Sequence, residues 1–83
     1  MDRDRIIQSI SEYVGKEILR DPRKKITPDQ SLINSGWVDS FNLVSLGMFV
    51  EDSFGVRLDD TELNADTFDT SAQLADLILS RLV

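Results

Sequence analysis

Gly36-Trp37-Val38-Asp39-Ser40-Phe41, followed at once by Asn42-Leu43-Val44-Ser45-Leu46-Gly47-Met48-Phe49-Val50, decides how this chain is read. Ser35-Gly36 is a turn signal. From Ser40 the apolar residues recur at helical spacing and run to Phe54, where Gly55 is a stop signal. Asp39 is the predicted cap, which places Ser40 in the first turn. The N-terminal end of a helix has free N–H groups and partial positive charge, so an anionic phosphate is favoured there. A serine hydroxyl at that point can carry a phosphate-linked group. Taken alone, a serine beside an aspartate at a helix start is most often just part of a cap.

Outward from this helix, the rest also reads as helical. Residues 3–19 form a predicted first helix, with Ile6, Ile10 and Val14 on one face and Ile7, Tyr13 and Ile18 at its flanks. Glu17 falls inside the stripe and marks a point where the helix frays or turns. Asp21-Pro22 should stop it, because proline disfavours helix in the residue before it. Residues 21–38 are a long connection, above the usual length for a compact domain and a hint of a functional loop. Ile26, Leu32, Ile33 and Trp37 are its apolar anchors, and Thr27-Pro28-Asp29-Gln30 reads as a single capped turn. A short third helix is expected at about 59–64, opened by Asp59 or Asp60. Thr70-Ser71-Ala72-Gln73 fits a capping box for a last helix over about 71–82, with Leu74, Ala75, Ile78 and Leu82 as its apolar face. No segment shows sustained strand alternation. The class is all-α: a small bundle of three main helices and one short one, with a long loop between the first two.

Composition bounds the chemistry. Eighty-three residues make one domain, 1–83, and the hydrophobic fraction of 41% suits a folded one. With no cysteine and no histidine, the chain lacks a thiolate, the commonest general base and the commonest metal ligand. The acids Asp59, Asp60 and Glu62 lack the spacing of a calcium loop. No apolar run is long enough to span a membrane, and Met1-Asp2-Arg3-Asp4-Arg5 is no secretory leader, so a cytoplasmic monomer is expected. The net charge of −6 is uneven: residues 1–28 carry +2 and residues 29–83 carry −8. Most of the chain should therefore repel nucleic acid and anionic membranes and attract basic proteins. Arg20, Arg23, Lys24 and Lys25 are the exception, read as a solvated loop or as a contact for a dedicated partner.

The second helix has two apolar stripes. At about 100° per residue, Leu43, Leu46, Val50 and Phe54 gather on the core side. Phe41, Val44 and Met48 gather roughly 150° away, bordered by Ser45, Glu51 and Asp52. A helix in a small bundle needs one buried face, so the second stripe is either a docking surface or a cover for the short helix or long loop. Gly47 costs about 1 kcal/mol relative to alanine in mid-helix. It either permits a close approach or leaves a void beside the core.

Together these features resemble the acyl carrier protein family, the phosphopantetheine-attachment domains. The resemblance is carried by Ser31-Leu32-Ile33, Ser35-Gly36, Val38-Asp39-Ser40-Phe41, Leu43-Val44, Leu46, Glu51-Asp52-Ser53-Phe54-Gly55-Val56 and Phe68-Asp69-Thr70, and covers nearly the whole chain. It implies that a phosphopantetheinyl transferase moves 4′-phosphopantetheine from coenzyme A to Ser40, and that the new thiol carries an acyl or aminoacyl thioester. The chain would then be a substrate of other enzymes and not an enzyme itself. By the same analogy Asp39 helps hold the transferase and its metal, while Phe41, Val44 and Met48, with Glu51 and Asp52, press against partners. Trp37 either touches the arm or its cargo, or anchors the loop. Carriers of bacterial fatty acid synthesis usually show leucine after the serine and more acid in the following turns; here Phe41, Asn42 and Ser45 stand there. Carriers served by free-standing ligases, D-alanyl carriers included, often show Asp-Ser-Phe. The resemblance therefore points to a specialised free-standing acyl carrier in lipid or secondary metabolism, with an aminoacyl or D-alanyl carrier as the alternative. A helical interaction domain that is never modified is the alternative of another class.

Overall fold

A computed structural model describes residues 2–82. Helix α1 spans Arg3–Tyr13 and runs on into a π-helical turn over Val14–Ile18. Helix α2 spans Ser40–Phe54, a 3₁₀ turn spans Asp60–Glu62, and helix α3 spans Ser71–Arg81. The expected three main helices are present, the fourth short one is a single 3₁₀ turn, and no strand occurs among the described residues.

Each helix begins where a side chain satisfies its free amides. The Asp2 carboxylate accepts from the Arg5 amide at 2.9 Å, and the Asp39 carboxylate accepts from the Asn42 amide at 2.9 Å. Thr70 and Gln73 form the capping box expected for α3. Gly55 ends α2 with φ of 70°, a left-handed conformation that glycine adopts without a Cβ penalty.

The first helix ends differently from its pattern. Glu17 would face the core in a regular α-helix. The π turn adds a residue to the last turn, with the Leu19 amide donating to the Val14 carbonyl at 2.8 Å, and Glu17 stays exposed. The helical stretch stops at Ile18, and Arg20 reverses the chain with φ of 56° before Asp21-Pro22 is reached. The loop then folds back over Gly15, whose missing Cβ would stand 3.5 Å from the Asp21 carbonyl and 3.8 Å from that of Lys24.

Ile6, Ile10 and Val14 of the first helical stretch, Leu43, Leu46 and Val50 of α2, and Leu74, Ala75 and Ile78 of α3 share one core with Leu32, Val38, Val56 and Phe68 from the connections. Two core expectations change. Leu82 is exposed, because α3 ends at Arg81 before its stripe makes another turn. Phe54 is half-buried rather than central, since it sits edge-on against Phe49, which stacks on Tyr13 with ring centroids 4.3 Å apart. Gly47 faces Leu63, which follows the 3₁₀ turn, but a Cβ there would stand 3.4 Å from Leu63 Cδ2, an ordinary contact, so the expected close approach does not require the glycine.

Candidate functional site

The chain reaches Ser40 through a loop tied down at several points. The Leu32 amide donates to the Asp69 carbonyl at 2.7 Å, and the Val38 amide donates to the Leu32 carbonyl at 2.8 Å. The Asp69 carboxylate accepts from the amides of both Ile33 and Asn34 at 2.8 Å. Burial opposes its ionised form, but the hydrogen bonds from Ser31, Asn34 and Ile33 outweigh this and lower its pKa. Gly36, with φ of 84°, makes the turn that Ser35-Gly36 signals, and its amide donates to the Ile33 carbonyl at 3.0 Å. Val38 is buried, so the next two residues, Asp39 and Ser40, emerge at the surface.

Asp39 and Ser40 divide the work at this helix start. The aspartate is the cap, with its carboxylate on the Asn42 amide and its carbonyl accepting from the Leu43 amide at 2.9 Å. Ser40 is the first helical residue and is exposed, and its hydroxyl enters none of the side-chain hydrogen bonds among the described residues. The reading of Ser40 as a mere cap is thereby removed, because the neighbouring carboxylate already fills that role. An uncommitted hydroxyl beside first-turn N–H groups suits a phosphate ester on its oxygen. The residues present therefore fit a phosphate-linked arm.

The second apolar stripe of α2 faces solvent. Phe41 is 85% exposed, Val44 52% and Met48 61%, so they cover neither the 3₁₀ turn nor the long loop. Glu51 and Asp52 are exposed beside them. Trp37 is half-buried against the core, and Lys24 Nζ stands 4.7 Å from the centre of its ring. The acids near the 3₁₀ turn have a structural role: Glu62 pairs with Arg81 and accepts from the Asp59 amide.

A family model described as the phosphopantetheine attachment site matches residues 5–78. The chain belongs to the acyl carrier protein family. It is 32% identical over 79 residues to the acyl carrier protein of Rubrobacter xylanophilus, covering 95% of this chain and 94% of that one. It is 30% identical over 82 residues to the acyl carrier protein of Coprothermobacter proteolyticus, covering 99% and 96% of the two chains. It is also 32% identical over 60 residues to the D-alanyl carrier protein of Bacillus pumilus, covering 72% of this chain and 77% of that one. As a family member it carries covalent 4′-phosphopantetheine and is a carrier, not an enzyme. Its partners fall in the classes the family meets, phosphopantetheinyl transferases and acyl-processing enzymes. No helix among the described residues is long and apolar enough to cross a membrane.

Asp69 escaped the reading of site residues. Phe68-Asp69-Thr70 was visible as part of the resemblance, but nothing local shows that its carboxylate holds Ile33 and Asn34, more than thirty residues earlier.

Proposed function

We propose that residues 1–83 act as one carrier domain whose phosphopantetheine is attached to Ser40. The observation that carries this reading is the uncommitted, exposed Ser40 hydroxyl at the first position of α2, with Asp39 acting as the cap in its place. When bound, the arm supplies a thiol that holds an acyl group as a thioester. The chain's own residues position and present it. The loop pinned by Asp69 fixes where Ser40 emerges. Asp39, the residue before Ser40, helps hold the transferase and its metal, as the family resemblance implies. Phe41, Val44 and Met48 offer an apolar face edged by Glu51 and Asp52, suited to partners with an apolar contact inside a basic rim.

For cargo, acyl groups are the first reading, supported by acyl carrier relatives that align along nearly the whole chain; their assignment to specialised lipid or secondary metabolism rests on Phe41, Asn42 and Ser45 standing where carriers of fatty acid synthesis usually have leucine and acids. A D-alanyl or other aminoacyl cargo is the second, supported by the Bacillus pumilus D-alanyl carrier protein.

The test is intact-protein mass after incubation with coenzyme A and a broad-specificity phosphopantetheinyl transferase. Wild type should gain one phosphopantetheine and Ser40→Ala none. Unmodified wild type with several transferases, or modified Ser40→Ala, would overturn the assignment. Loading of the modified protein by candidate acyl and aminoacyl ligases then separates the two cargo readings.

A further inference from the structure

The Tyr13 ring of α1 stacks on the Phe49 ring of α2, with centroids 4.3 Å apart and planes 20° from parallel. Beside the stack is a pocket of about 310 Å³ lined by Tyr13, Ser45, Met48, Phe49 and Asp52. That volume is at the low end for a ligand site, so it takes one side chain rather than a helix or strand. Its walls include two aromatic rings and a thioether, and its one charge is the Asp52 carboxylate. Asp52 is exposed, and none of the ion pairs among the described residues uses it. Burial raises the Tyr13 pKa and the nearby Glu17 carboxylate raises it further, so the phenol stays neutral. A second groove that Tyr13 and Phe49 also line is mixed in charge, with Arg5 and Lys16 against Glu12 and Glu17.

An aromatic surface beside one carboxylate is the chemistry that holds a guanidinium. The planar cation stacks on a ring while its N–H fork pairs with the acid. An ammonium uses the charge but not the plane, and an apolar side chain leaves Asp52 without a partner. The pocket is also continuous with the free face of α2, because Met48 belongs to both. Met48 lies eight residues beyond Ser40, about 12 Å along the helix. A standard interface covers about 800 Å² on each partner, a patch roughly 30 Å across. An enzyme docked over Ser40 therefore reaches α1 as well. Residues 29–83 carry −8, which favours a partner with basic contacts.

We infer that this pocket seats an arginine side chain of the phosphopantetheinyl transferase. Tyr13 and Phe49 supply the stacking surface and Asp52 the counter-charge, so docking extends from α2 onto α1. The inference rests on transfer of the arm to Ser40.

The test is the rate at which a broad-specificity transferase modifies the apo-carrier from coenzyme A, read by intact mass at several carrier concentrations. Tyr13→Leu, Tyr13→Phe and Asp52→Asn are compared with wild type, and urea midpoints verify that each is folded. Tyr13→Leu keeps an apolar wall but removes the π face. It should lower kcat/KM about fivefold, through KM with kcat kept. Tyr13→Phe should stay within about twofold of wild type. Asp52→Asn should lower kcat/KM about tenfold at low salt, and the difference should shrink toward about 1 M salt. The double variant Tyr13→Leu/Asp52→Asn should lose less than the product of the two single losses, because one guanidinium meets both groups. A loss in Tyr13→Leu alone would show an apolar occupant, and a loss in Asp52→Asn alone a charge contact outside the pocket. Either result, or no loss in any variant, would overturn the inference and leave the arm on Ser40. A second measurement needs no change at Tyr13: isotope-labelled Ser40→Ala carrier titrated with the transferase should show shifted Tyr13 and Glu17 amide resonances. Shifts confined to α2 would overturn the inference too. If wild type gains no phosphopantetheine from several transferases, the attachment and the pocket fall together.

Discussion

Two glycines of one helix should respond to the same substitution with opposite signs. Gly47 lies inside α2, where its replacement by alanine recovers about 1 kcal/mol of helix propensity. The new methyl would stand 3.4 and 3.7 Å from the two δ carbons of Leu63, which is ordinary contact. Gly47 is half-buried, so part of the ~0.8 kcal/mol for one buried carbon adds to this. Gly47→Ala should therefore stabilise the domain by about 1–1.5 kcal/mol. At Gly55 a Cβ meets nothing within 4 Å, but φ is 70°. Gly55→Ala should destabilise by about 1–2 kcal/mol, through the backbone alone. Urea unfolding followed by circular dichroism reads both. With a slope near 1 kcal/mol/M for a small domain, the midpoint should move up by about 1 M for Gly47→Ala and down by a similar amount for Gly55→Ala. Unchanged slopes would show that stability changed without a change in the surface exposed on unfolding. A Gly47→Ala protein less stable than wild type would refute the reasoning, by showing that Leu63 cannot accept a methyl. If Gly47→Ala is more stable yet poorer at carrying cargo, the glycine serves movement of the Leu63 segment rather than packing.

The remaining predictions concern caps, the docking face, buried hydroxyls and pH. Asp39→Ala should lose about 1 kcal/mol with its cap, seen as a lower urea midpoint, and should slow modification by the transferase. Phe41→Ala should leave stability within about 0.5 kcal/mol, because the ring is 85% exposed. It should lower kcat/KM for the transferase about tenfold if the ring is a docking anchor. The Ser71 hydroxyl is buried without a partner, so Ser71→Ala should be neutral or stabilise by up to about 1 kcal/mol in thermal unfolding. Asp69 has a lowered pKa in the folded state, so it contributes stability above its unfolded value of about 3.9 that is lost as pH falls through the folded value. Unfolding free energies measured between pH 5 and about 2 should fall for wild type, and less steeply for Asp69→Asn.

Local signals told most about where helices begin and end. Asp39, Gly55 and the Thr70–Gln73 box act within four residues of themselves, so their geometry is written in the order of the residues. Ser40 was legible for the same reason: its place at a helix start follows from its neighbours. The two faces of α2 were visible as a periodicity, yet periodicity cannot say which stripe finds a partner. The tertiary arrangement decided that, by burying Leu43, Leu46 and Val50 and leaving Phe41, Val44 and Met48 in solvent. It also decided the π turn, because a loop closing over Gly15 and the exposure of Glu17 involve residues that no helical repeat relates. Asp69 shows the same limit at the site itself. Its hold on Ile33 and Asn34 spans more than thirty residues, and the Lys24–Trp37 contact joins a basic run to an aromatic thirteen residues on. Caps, stops and the place of Ser40 at a helix start were set by the sequence alone, because hydrogen bonds over three or four residues need no other part of the chain. Which surfaces are free, and which charge stands over Trp37, depended on how the helices and loops come together, because those contacts exist only between distant segments.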